Sequence, residues 1–182
     1  MTGIATDERR LGDTVVRRAM TGDREAFTHL VATYDSSMAK VAYVVSGDPD
    51  VARDAVQAAW AIAWRRLGGL RDPDQVRAWL LTIAANEARQ QVRRRRRHVV
   101  VDLSIVEEVS DGRGDPGDTI HLIDLERALR RLKPDDRAII ALRYVAGLDS
   151  TEIAAHLGGS PSGIRSRLSR LIERLRMDLD HV

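Results

Sequence analysis

Residues 149–176 read DSTEIAAHLGGSPSGIRSRLSRLIERLR, an order of residue types that leaves few folds open. Ile153, Ala154 and Leu157 give a first helix one apolar stripe, and Gly158-Gly159 stops it. Ser160 suits an N-cap and Pro161 the first helical position, where the missing N–H costs nothing. Ile164, Leu168, Leu171, Ile172 and Leu175 then recur at helical spacing. Arg167, Arg170 and Arg174 recur on another face, with Arg165 beside them. Two short helices, a tight turn and a basic second helix make the pattern of a helix-turn-helix whose second helix can enter a major groove. An amphipathic hairpin with a solvated arginine face fits the same spacing and stays open on these residues alone.

The rest of the chain adds helices and almost no strand signal, so the predicted class is all-α. Proline is rare, with 5 in 182 residues. Cysteine is absent, which excludes disulfides and thiolate metal sites. No apolar run approaches the roughly 20 residues of a membrane span, and the first residues, MTGIATDERRLGD, hold no signal-peptide core. A cytoplasmic protein is expected. His29, His98, His121, His156 and His181 do not cluster, and no helical Asp/Glu/His set has metal-ligand spacing. No catalytic residue, metal or cofactor is therefore expected, and His156 reads as a partly exposed helix residue.

Charge is distributed in blocks. Residues 1–97 hold 17 Lys/Arg against 12 Asp/Glu, and residues 123–182 hold 11 against 9. Residues 98–122 between them hold one arginine against six acids, Asp102, Glu107, Glu108, Asp111, Asp115 and Asp118. Two basic helical units flanking an acidic, glycine-bearing connector suggest polyanion contacts at both ends.

In the first unit, Asp23 can cap a helix carrying Phe27, Leu30, Val31 and Tyr34, and Ser46-Gly47-Asp48-Pro49 breaks the pattern. The next helix, 51–67, places Asp54, Gln57, Ala61 and Trp64 along one strip. A strip of carboxylate, amide and tryptophan is suited to an interface, and a surface helix with a partly buried tryptophan fits equally. Gly68-Gly69 and the loop GGLRDPDQ lead to VRAWLLTIAANEARQQVRRRRRH, which ends in five consecutive arginines, Arg93 to Arg97. No acid occurs between Arg89 and Arg97. Such a run repels itself unless a polyanion is near, and phosphate is the economical partner; a solvated basic tail remains open. The second unit is expected to begin with a helix over 123–132, to break at Lys133-Pro134, and to restart at Asp135 or Asp136.

Four segments together resemble one family, the extracytoplasmic-function sigma factors of bacterial transcription initiation. They are GDREAFTHLVATY, ARDAVQAAWAIAWRRL, RAWLLTIAANEARQQVRRRRR and LKPDDRAIIALRYVAGLDSTEIAAHLGGSPSGIRSRLSRL, in that order. The resemblance implies a region 2-like domain over 12–97 for polymerase binding, −10 recognition and melting. It implies an acidic linker over 98–122 threading toward the active-site cleft, and a region 4-like helix-turn-helix over 123–178 reading the −35 element. By resemblance, Asp54, Gln57 and Trp64 face the clamp helices of core RNA polymerase. Arg77, Trp79, Asn86, Arg89, Arg93 and Arg94 face the −10 element, and the loop near 70–75 captures a flipped base. Ser162, Arg165, Ser166, Arg167 and Arg170 face the −35 element. The implied partners are core polymerase, through clamp helices and flap, promoter DNA, and an anti-sigma factor.

The chain departs from the family pattern at Ala58, Ala85, Gln90, Ser162-Gly163 and Leu171-Ile172. Two other classes fit part of the pattern. A two-component output regulator shares the helix-turn-helix but leaves the Trp60/Trp64 helix and the arginine run unexplained. A sigma-like interaction protein would bind polymerase or an anti-sigma partner without starting transcription.

Overall fold

The structure, a computed structural model, describes residues 14–99 and 116–180, with side chains for 14–95 and 124–180. Among these residues it has eight α-helices and no strand. Helix α1 (residues 14–20), α2 (Arg24–Ser46), α3 (Pro49–Arg66) and α4 (Val76–Val99) form the first unit. Helices α5 (Pro116–Arg131), α6 (Pro134–Ile140), α7 (Ser150–Leu157) and α8 (Pro161–Asp180) form the second, with one π-helical turn, Ala141–Val145, after α6.

Capping sets the helix starts. The Asp23 side chain accepts from the N–H groups of Glu25 and Ala26 at 3.0 and 3.1 Å, and Asp48 caps α3 in the same way. Each satisfies donors that the first helical turn leaves unpaired. Gly47 ends α2 at φ +70°, a conformation that glycine adopts without steric cost, and its N–H donates to the Tyr43 carbonyl at 2.7 Å. Ala52, Ala55, Ala59 and Ala63 are buried along α3, with Val51 and Val56 beside them near its start. Small side chains at that spacing let α4 lie close, with Leu80, Leu81, Ala84, Ala85 and Ala88 buried against α2 and α3.

The two units are not separate bodies joined by a tether. One cluster of buried side chains runs from Leu30, Met38 and Val45 of α2 and Leu81 of α4 into Ile139, Leu142, Leu148, Ile153, Ile164 and Leu168. A smaller cluster seats α5 on α8 through Ala128, Leu132, Leu171 and Leu175. Polar bonds tie the units as well. The Tyr43 hydroxyl donates to Glu126 Oε1 at 2.7 Å, and Arg130 Nη2 donates to the Gly47 carbonyl at 2.9 Å. The bond to Glu126 raises the Tyr43 phenol above its ordinary value, and burial adds to the rise.

Two boundaries differ from the sequence reading. Helix α5 starts at Pro116 rather than Ile123, so the described ends of the acidic connector are helical. Helix α6 starts at Pro134 with Lys133 as its N-cap, which leaves Asp135 and Asp136 in the first turn, free for tertiary bonds. The linker acids Asp102, Glu107, Glu108, Asp111 and Asp115 lie outside the described residues, as does the side chain of Asp118. No helix among the described residues is long and apolar enough to cross a membrane, and none of their acidic and imidazole side chains group as metal ligands.

Candidate nucleic-acid interface

The helix-turn-helix is built by two caps. Asp149 and Glu152 form a reciprocal capping box at α7: Asp149 Oδ1 accepts from the N–H groups of Thr151 and Glu152, and Glu152 Oε2 accepts from the Asp149 N–H at 2.7 Å. The N–H bonds to Glu152 and Thr151 hold the Asp149 carboxyl below its ordinary value. At α8, Ser160 Oγ accepts from the Gly163 N–H at 3.1 Å. A Cβ at residue 163 would stand 3.0 Å from that oxygen, so glycine there protects the cap. Burial holds the imidazole of His156, half-buried on α7, below its ordinary value.

Side chains on α8 divide by face, since successive residues turn by about 100°. Ile164, Leu168, Leu171 and Leu175 are buried, and Ser162, Ser166 and Arg170 lie on the exposed side. Arg165 lines a surface groove with Arg143, Tyr144 and Arg176. Arg167 lies on the opposite flank and is not beside it: its Nε donates to Asp136 Oδ1 at 2.7 Å. The arginines that look like one basic face in the linear sequence thus divide between two flanks, with Arg170 between them.

On α4, Trp79, Asn86 and Arg93 recur at seven-residue intervals on one side, outside the buried face formed by Leu80, Leu81, Ala84 and Ala88. Arg89 joins them, its Nη1 donating to Asn86 Oδ1 at 2.9 Å. Arg77 and Arg94 are exposed at other angles of the helix, and Arg95 pairs with Asp48 at 2.7 Å. The side chains of Arg96 and Arg97 lie outside the described residues. The loop before α4 is ordered by Asp72, whose carboxylate accepts from the Asp74 N–H at 3.1 Å and leaves Arg71, Asp74 and Gln75 exposed. Ala85 is fully buried between helices, which leaves a long side chain no room at that position. Gln90 is exposed and donates to Glu87, and Ala58 is half-buried.

Asp54, Gln57, Ala61 and Trp64 form one exposed strip on α3, as their spacing predicts. Trp64 is 41% exposed although its ring packs edge-on against Phe27 at 4.9 Å. Trp60, one step round the helix, is held by its indole N–H on Asp35 Oδ1 at 2.8 Å.

Sequence reading did not assign partners to Asp135. Its carboxylate is ion-paired with Arg89 Nε at 2.7 Å and with Arg93 Nη2 at 2.6 Å. Partial burial alone would raise this carboxyl, but the Arg89 and Arg93 charges outweigh burial and hold it below the ordinary 3.8. Only the acidic pair behind Lys133-Pro134 hinted at it, and a long-range pairing of this kind has no local pattern.

Two family models match the chain: Sigma-70 region 2 over residues 30–98, and Sigma-70, region 4 over residues 122–175. The probable RNA polymerase sigma factor RfaY of Xanthomonas campestris pv. campestris is 30% identical over 169 residues, 88% of this chain but 42% of its own length. The ECF RNA polymerase sigma-E factor of Escherichia coli (strain K12) is 32% identical over 176 residues, 88% of this chain and 90% of its own. Among solved structures, the sigma factor RpoE of Bartonella quintana, in complex with the anti-sigma factor NepR, superposes with a TM-score of 0.72 at 30% identity. The match covers 85% of this chain and 96% of that one.

Proposed function

The chain belongs to the sigma-70 family as an extracytoplasmic-function (ECF) RNA polymerase sigma factor, and from that premise we propose how its surfaces share the work. A sigma factor directs core RNA polymerase to particular promoters and performs no covalent chemistry itself. It acts with the polymerase in the cytoplasm. Core polymerase docks on the strip of Asp54, Gln57 and Trp64 of α3. The half-buried side of α4, with Trp79, Asn86, Arg89 and the exposed Arg93, meets the −10 element together with Arg77 and Arg94. The exposed side of α8, with Ser162, Arg165, Ser166 and Arg170, meets the −35 element, and Arg167 joins it from the flank. An anti-sigma factor is a further partner, as for the RpoE relative.

The observation that supports this division is the alignment of an indole, an amide and two guanidinium groups on one side of α4, next to the ordered 70–75 loop. Guanidinium groups bind phosphate whatever the sequence, whereas an amide, an indole and a shaped loop can hold and distinguish unstacked bases. Permanganate footprinting of the assembled holoenzyme across a library of −10 sequences tests the assignment. Charge reversal at Arg93 and Arg94 is expected to reduce strand opening on all sequences alike. Substitutions in residues 70–75 are expected to reorder preference among sequences. The opposite distribution of effects would refute it.

A further inference from the structure

The arginine run at the end of α4 does not present one surface. Arg93 follows Trp79 by roughly four turns and shares its side of the helix. Arg95 follows Trp79 by roughly four and a half turns and leaves α4 on the other side. There its Nη1 donates to Asp48 Oδ2 at 2.7 Å. The other oxygen of that carboxylate is already committed: Asp48 Oδ1 accepts from the N–H groups of Asp50 and Val51, both at 2.9 Å, as the N-cap of α3. The turn that carries Asp48 is set by Gly47 at φ +70° and by Ser46 Oγ, which donates to the Asp48 carbonyl at 2.9 Å. Among the described side chains of α4, Val92 is the last that is buried. Beyond it, the Arg95–Asp48 pair ties the helix to the α2–α3 turn.

Successive arginines on a helix repel one another unless an anion is near. On the Trp79 side, DNA phosphate is the anion in the reading above; on the far side it is Asp48. Burial pushes the Asp48 carboxyl up, but the Val51 N–H and the Arg95 charge outweigh burial and hold it below its ordinary value. The pair therefore stays charged at neutral pH. We propose that Arg95 takes no DNA phosphate and is a positioning residue for promoter opening. Through Asp48 it fixes the last turns of α4 against the first turn of α3, so that the helix docked on polymerase aims the helix that meets DNA. The inference rests on the roles proposed above for α3 and α4. An exposed ion pair adds little to stability, which suits a contact whose use is direction.

The test uses holoenzyme assembled from the full chain, on a promoter duplex with 2-aminopurine in the −10 element. Affinity over a range of salt and the rate of opening are read separately. Arg94→Ala is expected to flatten the slope of log affinity against log salt by about 0.9, one phosphate contact. Arg95→Ala is expected to leave that slope unchanged and to slow opening by about two- to fivefold, the range of an exposed ion pair. Arg95→Lys keeps the pair and is expected to open at close to the wild-type rate. Asp48→Asn removes the charge but keeps an oxygen for the α3 cap, since Asn caps as well as Asp. It should match Arg95→Ala, and the two together should be no slower than either alone. Circular dichroism at the assay temperature checks that each variant is folded. A slope that falls with Arg95→Ala as it does with Arg94→Ala would make Arg95 a phosphate contact and overturn the proposal. Wild-type opening in both Arg95→Ala and Asp48→Asn, or defects that multiply in the double variant, would overturn it as well. An unchanged slope in Arg94→Ala too, with wild-type opening throughout, would instead remove the DNA role of the run, and the proposal with it.

Discussion

Replacing Arg165 and Arg170 together with alanine is expected to abolish most recognition of the −35 element while leaving the fold intact. Both side chains are exposed, on the solvent side and one flank of α8, and neither belongs to the buried stripe of Ile164, Leu168, Leu171 and Leu175. Surface substitutions of this kind shift stability by only about 0.5 kcal/mol, and alanine favours the helix. A bidentate arginine–guanine contact is worth roughly 1–3 kcal/mol of discrimination, so losing two such readers costs about 30-fold or more on the cognate sequence. If the two arginines bind phosphate instead, the salt slope falls by about 0.9 for each and every sequence suffers alike. Fluorescence anisotropy on cognate and scrambled duplexes with the holoenzyme, over a range of salt, separates the two. Wild-type binding on both duplexes would remove α8 as the reader.

The second large effect is expected at the polymerase surface. Asp54→Ala with Gln57→Ala should weaken association with core polymerase by about tenfold or more, a loss of at least ~1.4 kcal/mol. Interface energy concentrates in a few desolvated groups near an aromatic anchor, and here both polar groups share an exposed strip with Trp64. The polar pair is a cleaner probe than Trp64 itself, whose ring also packs on Phe27; removing that ring would mix binding with stability. Titration of labelled core polymerase gives the affinity, and far-UV circular dichroism with thermal melting checks the fold. Unaltered affinity, or unfolding in place of weakened binding, would dismiss the strip as an interface.

What was legible in the sequence was local. Asp23 and Ser160 cap helices where their residue types and spacing place caps, because an N-cap needs only a side-chain oxygen two or three residues before the N–H it satisfies. The α3 strip was legible for a related reason, since helical period alone decides which residues share a face. Residues whose roles depend on distant partners were not legible. Arg165 and Arg167 lie two residues apart in a run that looks uniformly basic, yet one lines a groove with Tyr144 and the other bonds to Asp136. Asp135 and Asp136 looked like helix starters because acids are favoured in a first turn; their partners are 42 and 31 residues away. The shared core was hidden likewise. Met38 and Val45 fit a helix of the first unit and Leu142 a helix of the second, and nothing in their spacing says that they meet. The π-helical turn at Ala141–Val145 has no signal in its five residues, ALRYV, and Gly147 after it takes a positive φ of 71°.

Run-off transcription with purified core polymerase on a genomic promoter library, followed by sequencing of RNA 5′ ends, tests most directly that this chain gives polymerase its promoter choice through two separate reading helices. The expected result is a set of start sites absent with core polymerase alone and sharing two upstream elements. Transcripts from those sites should fall sharply with the Arg165→Ala, Arg170→Ala variant and with the Asp54→Ala, Gln57→Ala variant. Start sites indistinguishable from those of core polymerase alone, or DNA binding with no new transcript, would contradict it.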